Sequence, residues 1–103
     1  MRDIQNFCDG IAAAFKPRKV ILFGSYAYGK PTEDSDVDVM VVMPRKRYRR
    51  DLDLRIRMTV PARFAVDVLV EPEDRLRRRI EDRECFILDV TENGKTLYES
   101  GHM

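Results

Sequence analysis

Two aspartates stand at the start of an apolar run, where a strand of the protein core should begin. They are Asp36 and Asp38 in "SDVDVMVV", and Val37 separates them. Side chains on a strand alternate between its two faces, so both carboxylates point to the same face. Like charges this close repel each other, and burial raises their pKa values unless something positive lies among them. Mg²⁺ would fill that role, because it binds oxygen ligands and takes one or two carboxylates together with phosphate oxygens and water.

A third carboxylate lies in a similar apolar run. Asp67 interrupts "RFAVDVLV", residues 63–70. If this strand neighbours the strand of Asp36 and Asp38, three carboxylates converge on one patch that could hold two magnesium ions. Two such ions about 4 Å apart activate an attacking oxygen and stabilise a leaving one during phosphoryl or nucleotidyl transfer. With a different strand pairing, Asp53 or Glu71 would serve instead of Asp67.

A Gly-Ser pair ends the apolar run that precedes these aspartates. Gly24 allows the backbone to approach a ligand closely, and Ser25 is placed to cap a short helix at "SYAY". The N–H groups and the hydroxyl at such a helix start would form a cradle for phosphate. The pair alone is a weak signal. Followed by Asp-x-Asp at the start of the next strand, it predicts a site for a nucleoside triphosphate.

The spacing of apolar residues predicts the elements that position these groups. A first helix runs from Ile4, with Asp3 as its N-cap, to Pro17. The segment 84–93 is ambiguous between helix and strand; helix is favoured, ended at Asn93-Gly94 by the left-handed preference of those residues. The remaining predictions are strands at 19–23, 37–43, 63–70 and 95–99, and helices at 45–60 and from Pro72 in the first turn to Arg83. Helices alternating with three or four strands predict an α/β (α+β) fold in a single domain over residues 1–103.

Two motifs together resemble a known superfamily. "GSYAYG" at 24–29 and "DSDVDV" at 34–39 are similar to the G-S-x-A-x-G…S-D-x-D-[LV] signature of the DNA polymerase β-type nucleotidyltransferases, and the short chain resembles their minimal nucleotidyltransferase (MNT) branch. The resemblance implies a polymerase β-like fold with a small mixed sheet flanked by helices. It also implies that Gly24 and Ser25 contact the nucleotide phosphates, that Asp36 and Asp38 bind two Mg²⁺ ions, and that Asp67 completes the metal site and helps to deprotonate the acceptor.

The resemblance also implies a function. The MNT branch is similar to the antitoxin half of toxin–antitoxin pairs whose toxin is a HEPN-domain ribonuclease, so we expect transfer of AMP from ATP to a tyrosine of such a partner. A non-catalytic binding module that masks its partner stoichiometrically is the alternative. Transfer to a small molecule such as an antibiotic is disfavoured because no substrate domain is seen. Tyr28 stands where many members carry an arginine that could contact phosphate, which bears on nucleotide affinity and choice.

The charge pattern bears on partners. Lys and Arg number 19 against 18 Asp and Glu, so no global basic bias suggests nucleic-acid binding. The arginine-rich segment 45–57 is best explained as a solvated helix face, with Asp51 and Asp53 at helical pairing distance. The alternatives are a surface that docks a protein or steers a triphosphate and, less favoured, a nucleic-acid contact. Tyr26 and Tyr28 could stack on a base or pack against the core. His102, the only histidine, is not a catalytic candidate.

The expected location is the cytoplasm. Cys8 and Cys85 form no CxxC or metal-like spacing, and both are predicted to be small core residues in a reducing compartment. The segment "MRDIQNFCDG" lacks the apolar region of a signal peptide. No apolar run approaches the roughly 20 residues needed to cross a bilayer.

Overall fold

The structure, a computed structural model, describes residues 2–32 and 35–100. Asp34 of the second motif and the terminal His102 lie outside the described residues, so the prediction on His102 stays a prediction. The elements follow in the order α1 (Arg2–Phe15), β1 (Lys19–Phe23), α2 (Ser25–Tyr28), β2 (Val37–Met43), a short 3₁₀ helix (Arg45–Arg47), α3 (Leu52–Thr59), β3 (Val66–Pro72), α4 (Glu73–Glu81), α5 (Cys85–Asn93) and β4 (Lys95–Glu99). Within these ranges no helix is both long and apolar enough to span a bilayer.

The four strands form one mixed sheet in the order β3-β2-β1-β4. β1 is antiparallel to both β2 and β4, whereas β2 is parallel to β3. Helices cover both faces of the sheet, which explains why β1 and β2 are almost continuously apolar. The predicted α/β fold, a small mixed sheet flanked by helices, is confirmed.

The two faces of β2 belong to different halves of the core. Val37, Val39 and Val41 pack with α1 and α3. Met40 and Val42 pack with α4 and α5 on the opposite face. Because side chains alternate along a strand, Asp38 lies on the same face as Met40, at the end where β2 begins.

The helix predicted over 45–60 is in fact two separate pieces. Residues 45–47 form one 3₁₀ turn, Tyr48 is extended, and α3 begins only at Leu52. The charged residues after Pro44 offer no apolar stripe to pack, so they do not continue a helix against the sheet. Leu52 and Ile56 of α3 are buried, whereas Thr59 is exposed.

Several predicted boundaries were wrong by a few residues. α1 already begins at Arg2, so Asp3 lies in its first turn and is not the N-cap. β3 runs over Val66–Pro72 instead of 63–70, and Pro72 therefore ends a strand instead of opening the first turn of α4. An edge strand tolerates this proline because its missing N–H removes no essential ladder bond. α4 ends at Glu81, short of Arg83.

α5 is a helix, as favoured, but Gly94 ends it for a different reason from the one predicted. Its φ of −73° is extended, not left-handed. A Cβ on Gly94 would lie 2.4 Å from the Val90 carbonyl oxygen and 2.8 Å from Ile21 Cγ2. The glycine is therefore needed for close packing of the α5–β4 turn onto β1.

The two cysteines have different environments. Cys8 is buried in α1 as predicted, and this burial raises the pKa of its thiol to about 12. Cys85 is exposed at the start of α5, so the prediction of a core residue was wrong there. Ile87 and Val90 are the residues of α5 that are buried against the sheet.

A buried ion cluster ties α4 to the far end of β3. Glu71 is only 7% exposed, and its carboxylate accepts hydrogen bonds from Arg75 Nε at 3.0 Å and Arg79 Nη1 at 2.6 Å. The Arg75 guanidinium also lies 5.5 Å from the centre of the Tyr48 ring. These contacts fix α4 and the segment after β2 against the sheet.

Candidate active site

Asp38 and Asp67 lie directly opposite each other on neighbouring strands. The parallel pairing of β2 with β3 puts these two residues in register. Residues directly opposite in a sheet present their side chains on the same face. The two strands are therefore neighbours, which was the condition for bringing Asp67 to the patch, and Asp36 lies immediately before β2 at the same end.

The carboxylate patch of Asp36, Asp38 and Asp67 carries uncompensated negative charge. Asp38 is half-buried, whereas Asp36 and Asp67 are exposed. Burial raises the pKa of Asp38 above its ordinary value, and repulsion from Asp67 and then Asp36 raises it further. Among the ion pairs of residues 2–32 and 35–100, none involves these three residues. The patch is therefore a place where a cation would be favoured.

Gly24 brings the end of β1 against this patch. Its φ of 75° and ψ of −159° lie in a region that side chains rarely allow. A Cβ at this position would lie 2.3 Å from Asp38 Oδ2. The conformation favours glycine, and the short distance places Gly24 beside the Asp38 carboxylate, which a larger residue would displace.

Ser25 begins the short helix α2, but it does not cap it. Gly24 occupies the N-cap position, and its carbonyl oxygen accepts hydrogen bonds from the backbone N–H groups of Ala27 and Tyr28 at 3.0 and 3.2 Å. The half-buried Ser25 directly follows Gly24, the residue that lies beside Asp38. The phosphate contact expected of Gly24 and Ser25 stays a prediction.

Tyr28, which replaces the frequent arginine of the motif, links α2 to α5. Its hydroxyl donates a hydrogen bond to Asp89, and Asn93 Nδ2 donates to the other carboxylate oxygen of Asp89 at 2.9 Å. The hydrogen bond from Tyr28, and then that from Asn93, lower the pKa of Asp89. The Tyr28–Asp89 hydrogen bond also raises the pKa of Tyr28. Sequence reasoning missed Asp89 because no local pattern links it to α2. Tyr26, by contrast, is half-buried against the core.

The alternative third carboxylates are occupied elsewhere. Asp53 lies on α3 and pairs with Arg57 at 3.8 Å. Glu71 is held in the ion cluster with α4, four residues beyond Asp67 and so about 13 Å along the strand. Asp67 is the candidate that the sheet places opposite Asp38.

Much of the arginine-rich segment pairs within the protein. Arg55 binds Asp51 at 2.9 Å, and Arg57 pairs with Asp53, both at the predicted i,i+4 spacing. Arg45 binds Asp74 on α4 at 3.0 Å. The segment is therefore in part a solvated face of α3 and in part a link from the 3₁₀ turn to α4.

The donor set suits magnesium, although the side chains do not form a closed cage. In the part of the chain that the structure describes, no three His, Cys, Asp or Glu side chains gather as a complete metal-binding group. The strand register still puts Asp38 opposite Asp67, with Asp36 immediately before β2 at the same end. Because Mg²⁺ typically binds one or two carboxylates plus water and substrate phosphates, an open set of this kind fits it.

Comparison with known proteins gives a consistent result. The profile of the family described as "Nucleotidyltransferase domain" matches residues 4–90. A Methanocaldococcus jannaschii protein named "Putative protein adenylyltransferase" is 31% identical over 97 residues, which cover 92% of this chain and 94% of that protein. A second M. jannaschii protein of the same name is 40% identical over 76 residues, 67% of this chain and 52% of that protein.

A solved structure has the same fold. The crystal structure of "a putative nucleotidyltransferase from Sulfolobus solfataricus" superposes with a TM-score of 0.63 at 18% identity, covering 95% of this chain and 78% of that one. At this identity the similarity concerns the fold alone. The family match spans both motifs and all three aspartates. The chain belongs to the nucleotidyltransferase domain family, and the predicted enzyme class is confirmed.

Proposed function

We propose that this protein transfers AMP from ATP, with Mg²⁺, to a tyrosine hydroxyl of a protein partner. The pairing of Asp38 with Asp67 beside the Gly24-Ser25 turn is the observation that carries the proposal. This pairing puts the negatively charged patch and the turn at Gly24 at the same end of neighbouring strands. Metal-bound triphosphate and an acceptor hydroxyl need both parts in one place.

In the proposed reaction each group has a distinct role. Gly24 and Ser25 hold the β- and γ-phosphates, and Asp36 and Asp38 would hold Mg²⁺, which when bound neutralises charge on the phosphate oxygens. The acceptor oxygen bonds to the α-phosphorus as the bond to the β-phosphate oxygen breaks, so pyrophosphate leaves. Asp67 takes the proton of the acceptor hydroxyl or serves as a further metal ligand.

A protein acceptor is supported by the relatives' names, which describe protein adenylyltransferases. Within the MNT resemblance, we propose that the partner is a HEPN ribonuclease toxin and that this chain is its antitoxin, acting in the cytoplasm. The arginine-rich segment that begins at Arg45 supplies basic side chains for docking such a partner or for steering a triphosphate. Both cysteines are free, which suits a reducing compartment.

The test is transfer of label from α-³²P-ATP with Mg²⁺ into proteins of the source organism's lysate. The unaltered protein is run beside the Asp36→Asn/Asp38→Asn double variant, which keeps similar side-chain volumes. A labelled band in the first lane alone, with AMP mapped to a tyrosine by mass spectrometry, supports the proposal. An equally labelled band with the double variant contradicts the assigned roles.

The second candidate is a binding module that masks its partner without transferring a nucleotide. The observation that favours it is Tyr28, whose hydroxyl is committed to Asp89 where many members offer an arginine to phosphate. The double variant distinguishes the two candidates. If it neutralises the partner as well as the unaltered protein does, and no labelled band appears in either lane, the binding module is the better explanation.

A further inference from the structure

Phe86 presents an aromatic ring to solvent in the first turn of α5. The residue is 47% exposed, although the neighbouring Ile87 is completely buried. Its ring meets the Phe23 ring in a T-shaped contact, with the ring centres 5.7 Å apart and the planes at 82°. Phe86 is therefore exposed on one side and held in position from the other.

The ring that supports Phe86 belongs to the edge of the candidate active site. Phe23 pairs directly with Asp38 across β1 and β2, and it immediately precedes Gly24. Directly opposed residues share a face of the sheet. Phe86 therefore contacts Phe23, which in turn neighbours both Asp38 of the carboxylate patch and Gly24 of the turn.

A second exposed aromatic residue borders the same region. Tyr28 is 45% exposed, and its hydroxyl is anchored to Asp89. Asp89 follows Phe86 by three positions on α5, so these two residues are neighbours on one helix surface. The ends of α2 and α5 together present an aromatic surface next to a strongly polar site.

We propose that Phe86, positioned by Phe23, is the surface on which the purine base of the nucleotide stacks. This inference rests on the proposed function and names the base-binding part of the same site. The Gly24-Ser25 turn and the carboxylate patch can recognise phosphate and metal, but they offer no flat apolar surface for a base. Stacking on an aromatic ring is sequence-tolerant and typically changes affinity by about 5- to 150-fold per base.

The experiment compares a ligand that carries a base on its ribose with one that has only the three phosphates. Dissociation constants of ATP and of inorganic tripolyphosphate, each with Mg²⁺, are measured for the unaltered protein and for Phe86→Leu, Phe86→Tyr and Met58→Ala. Met58 is a matched control, because it is 78% exposed and lies on α3, which covers the other face of the sheet. Phe86→Leu keeps an apolar contact with Phe23, and its thermal midpoint is recorded beside the binding data.

We expect Phe86→Leu to weaken ATP binding by about 5-fold or more and to leave tripolyphosphate binding unchanged. Phe86→Tyr keeps the ring and should bind both ligands normally, as should Met58→Ala. Unchanged ATP affinity in Phe86→Leu, or an equal loss for both ligands, overturns the inference. If the unaltered protein binds ATP no more tightly than tripolyphosphate, only the stacking is refuted. If it binds neither ligand, the proposed function fails as well.

Discussion

Replacing Gly24 with alanine should damage catalysis far more than it damages the fold. Gly24 has a φ of 75° and a ψ of −159°, a region essentially reserved for glycine, and alanine there costs about 1–3 kcal/mol. Gly29 is the matched control, with a φ of 77° and a ψ of 20° in the left-handed helical region, where alanine costs about 1–2 kcal/mol. The free energies of unfolding should therefore fall by similar amounts, and each kcal/mol lowers the thermal midpoint by about 4–8 °C.

The difference between the two variants lies in what the new methyl group meets. At Gly29 it finds no atom within 4 Å, whereas at Gly24 it lies 2.3 Å from Asp38 Oδ2. Ordinary contact begins at 3.4 Å, so the Asp38 carboxylate must move by about 1 Å, a shift that typically costs about 100-fold in rate when reacting groups are misplaced. The carboxylate is the flexible end of a side chain, so moving it adds little to the loss of stability.

The assay is the initial rate of AMP transfer from α-³²P-ATP to the acceptor, once the lysate experiment has identified it. Both variants are measured at a temperature at which circular dichroism shows them folded. We expect about a 100-fold loss for Gly24→Ala and only a few-fold change for Gly29→Ala. Equal losses in the two variants would show that backbone strain, and not displacement of Asp38, controls the rate; no loss in either would refute the placement of the site.

Three further predictions concern stability and accessibility. Because the pKa of Asp38 is raised in the folded state, its charge destabilises the fold as pH rises above the ordinary value of 3.8. Thermal melts should therefore show Asp38→Asn more stable than the unaltered protein at pH 7, with the gain disappearing below pH 3.8; a gain that does not depend on pH would contradict this. Glu71→Ala should lower the free energy of unfolding, measured in urea, by about 2–3 kcal/mol, because Arg75 and Arg79 lose their partner. Asp53→Ala, which removes an exposed ion pair, should lower it by under about 1 kcal/mol. At pH 8 a thiol reagent should label Cys85 and spare Cys8, whose burial raises its pKa to about 12, and peptide mapping of two labelled sites in the native protein would disprove the burial of Cys8.

The sequence was sufficient to predict the parts of the site that depend on strand patterning. Apolar runs interrupted by Asp36, Asp38 and Asp67 predicted two strands whose carboxylates share one face, and the alternation of valine around Asp67 kept that assignment correct even though β3 begins at Val66. The register that puts Asp38 opposite Asp67 could not be predicted, because it depends on how the whole strands align.

Local sequence patterns could not predict contacts between elements that are distant in the chain. The bond from Tyr28 to Asp89 and the contact of Phe23 with Phe86 depend on where α5 crosses the end of β1. A helix was predicted through Arg45–Arg47 because the apolar spacing later in the segment 45–60 was extended back over the arginines, but these residues have no apolar face to pack and form only a 3₁₀ turn. Cys85 was predicted to lie in the core because a lone cysteine on an apolar helix is most often buried, but the core-facing residues of α5 are Ile87 and Val90.

The parallel pairing of β2 with β3 also affects when the site forms during folding. β1 and β2 pair as consecutive antiparallel strands, whereas β3 reaches β2 only after the chain has passed through α3. Such non-local pairings are slower to form, because a larger loop must close first. Asp67 thus joins Asp38 only when β3 docks as an edge strand. A chain still being synthesised, or one whose β3 has locally detached, lacks the complete carboxylate patch, so under the proposed roles of these aspartates only the fully folded protein would transfer a nucleotide.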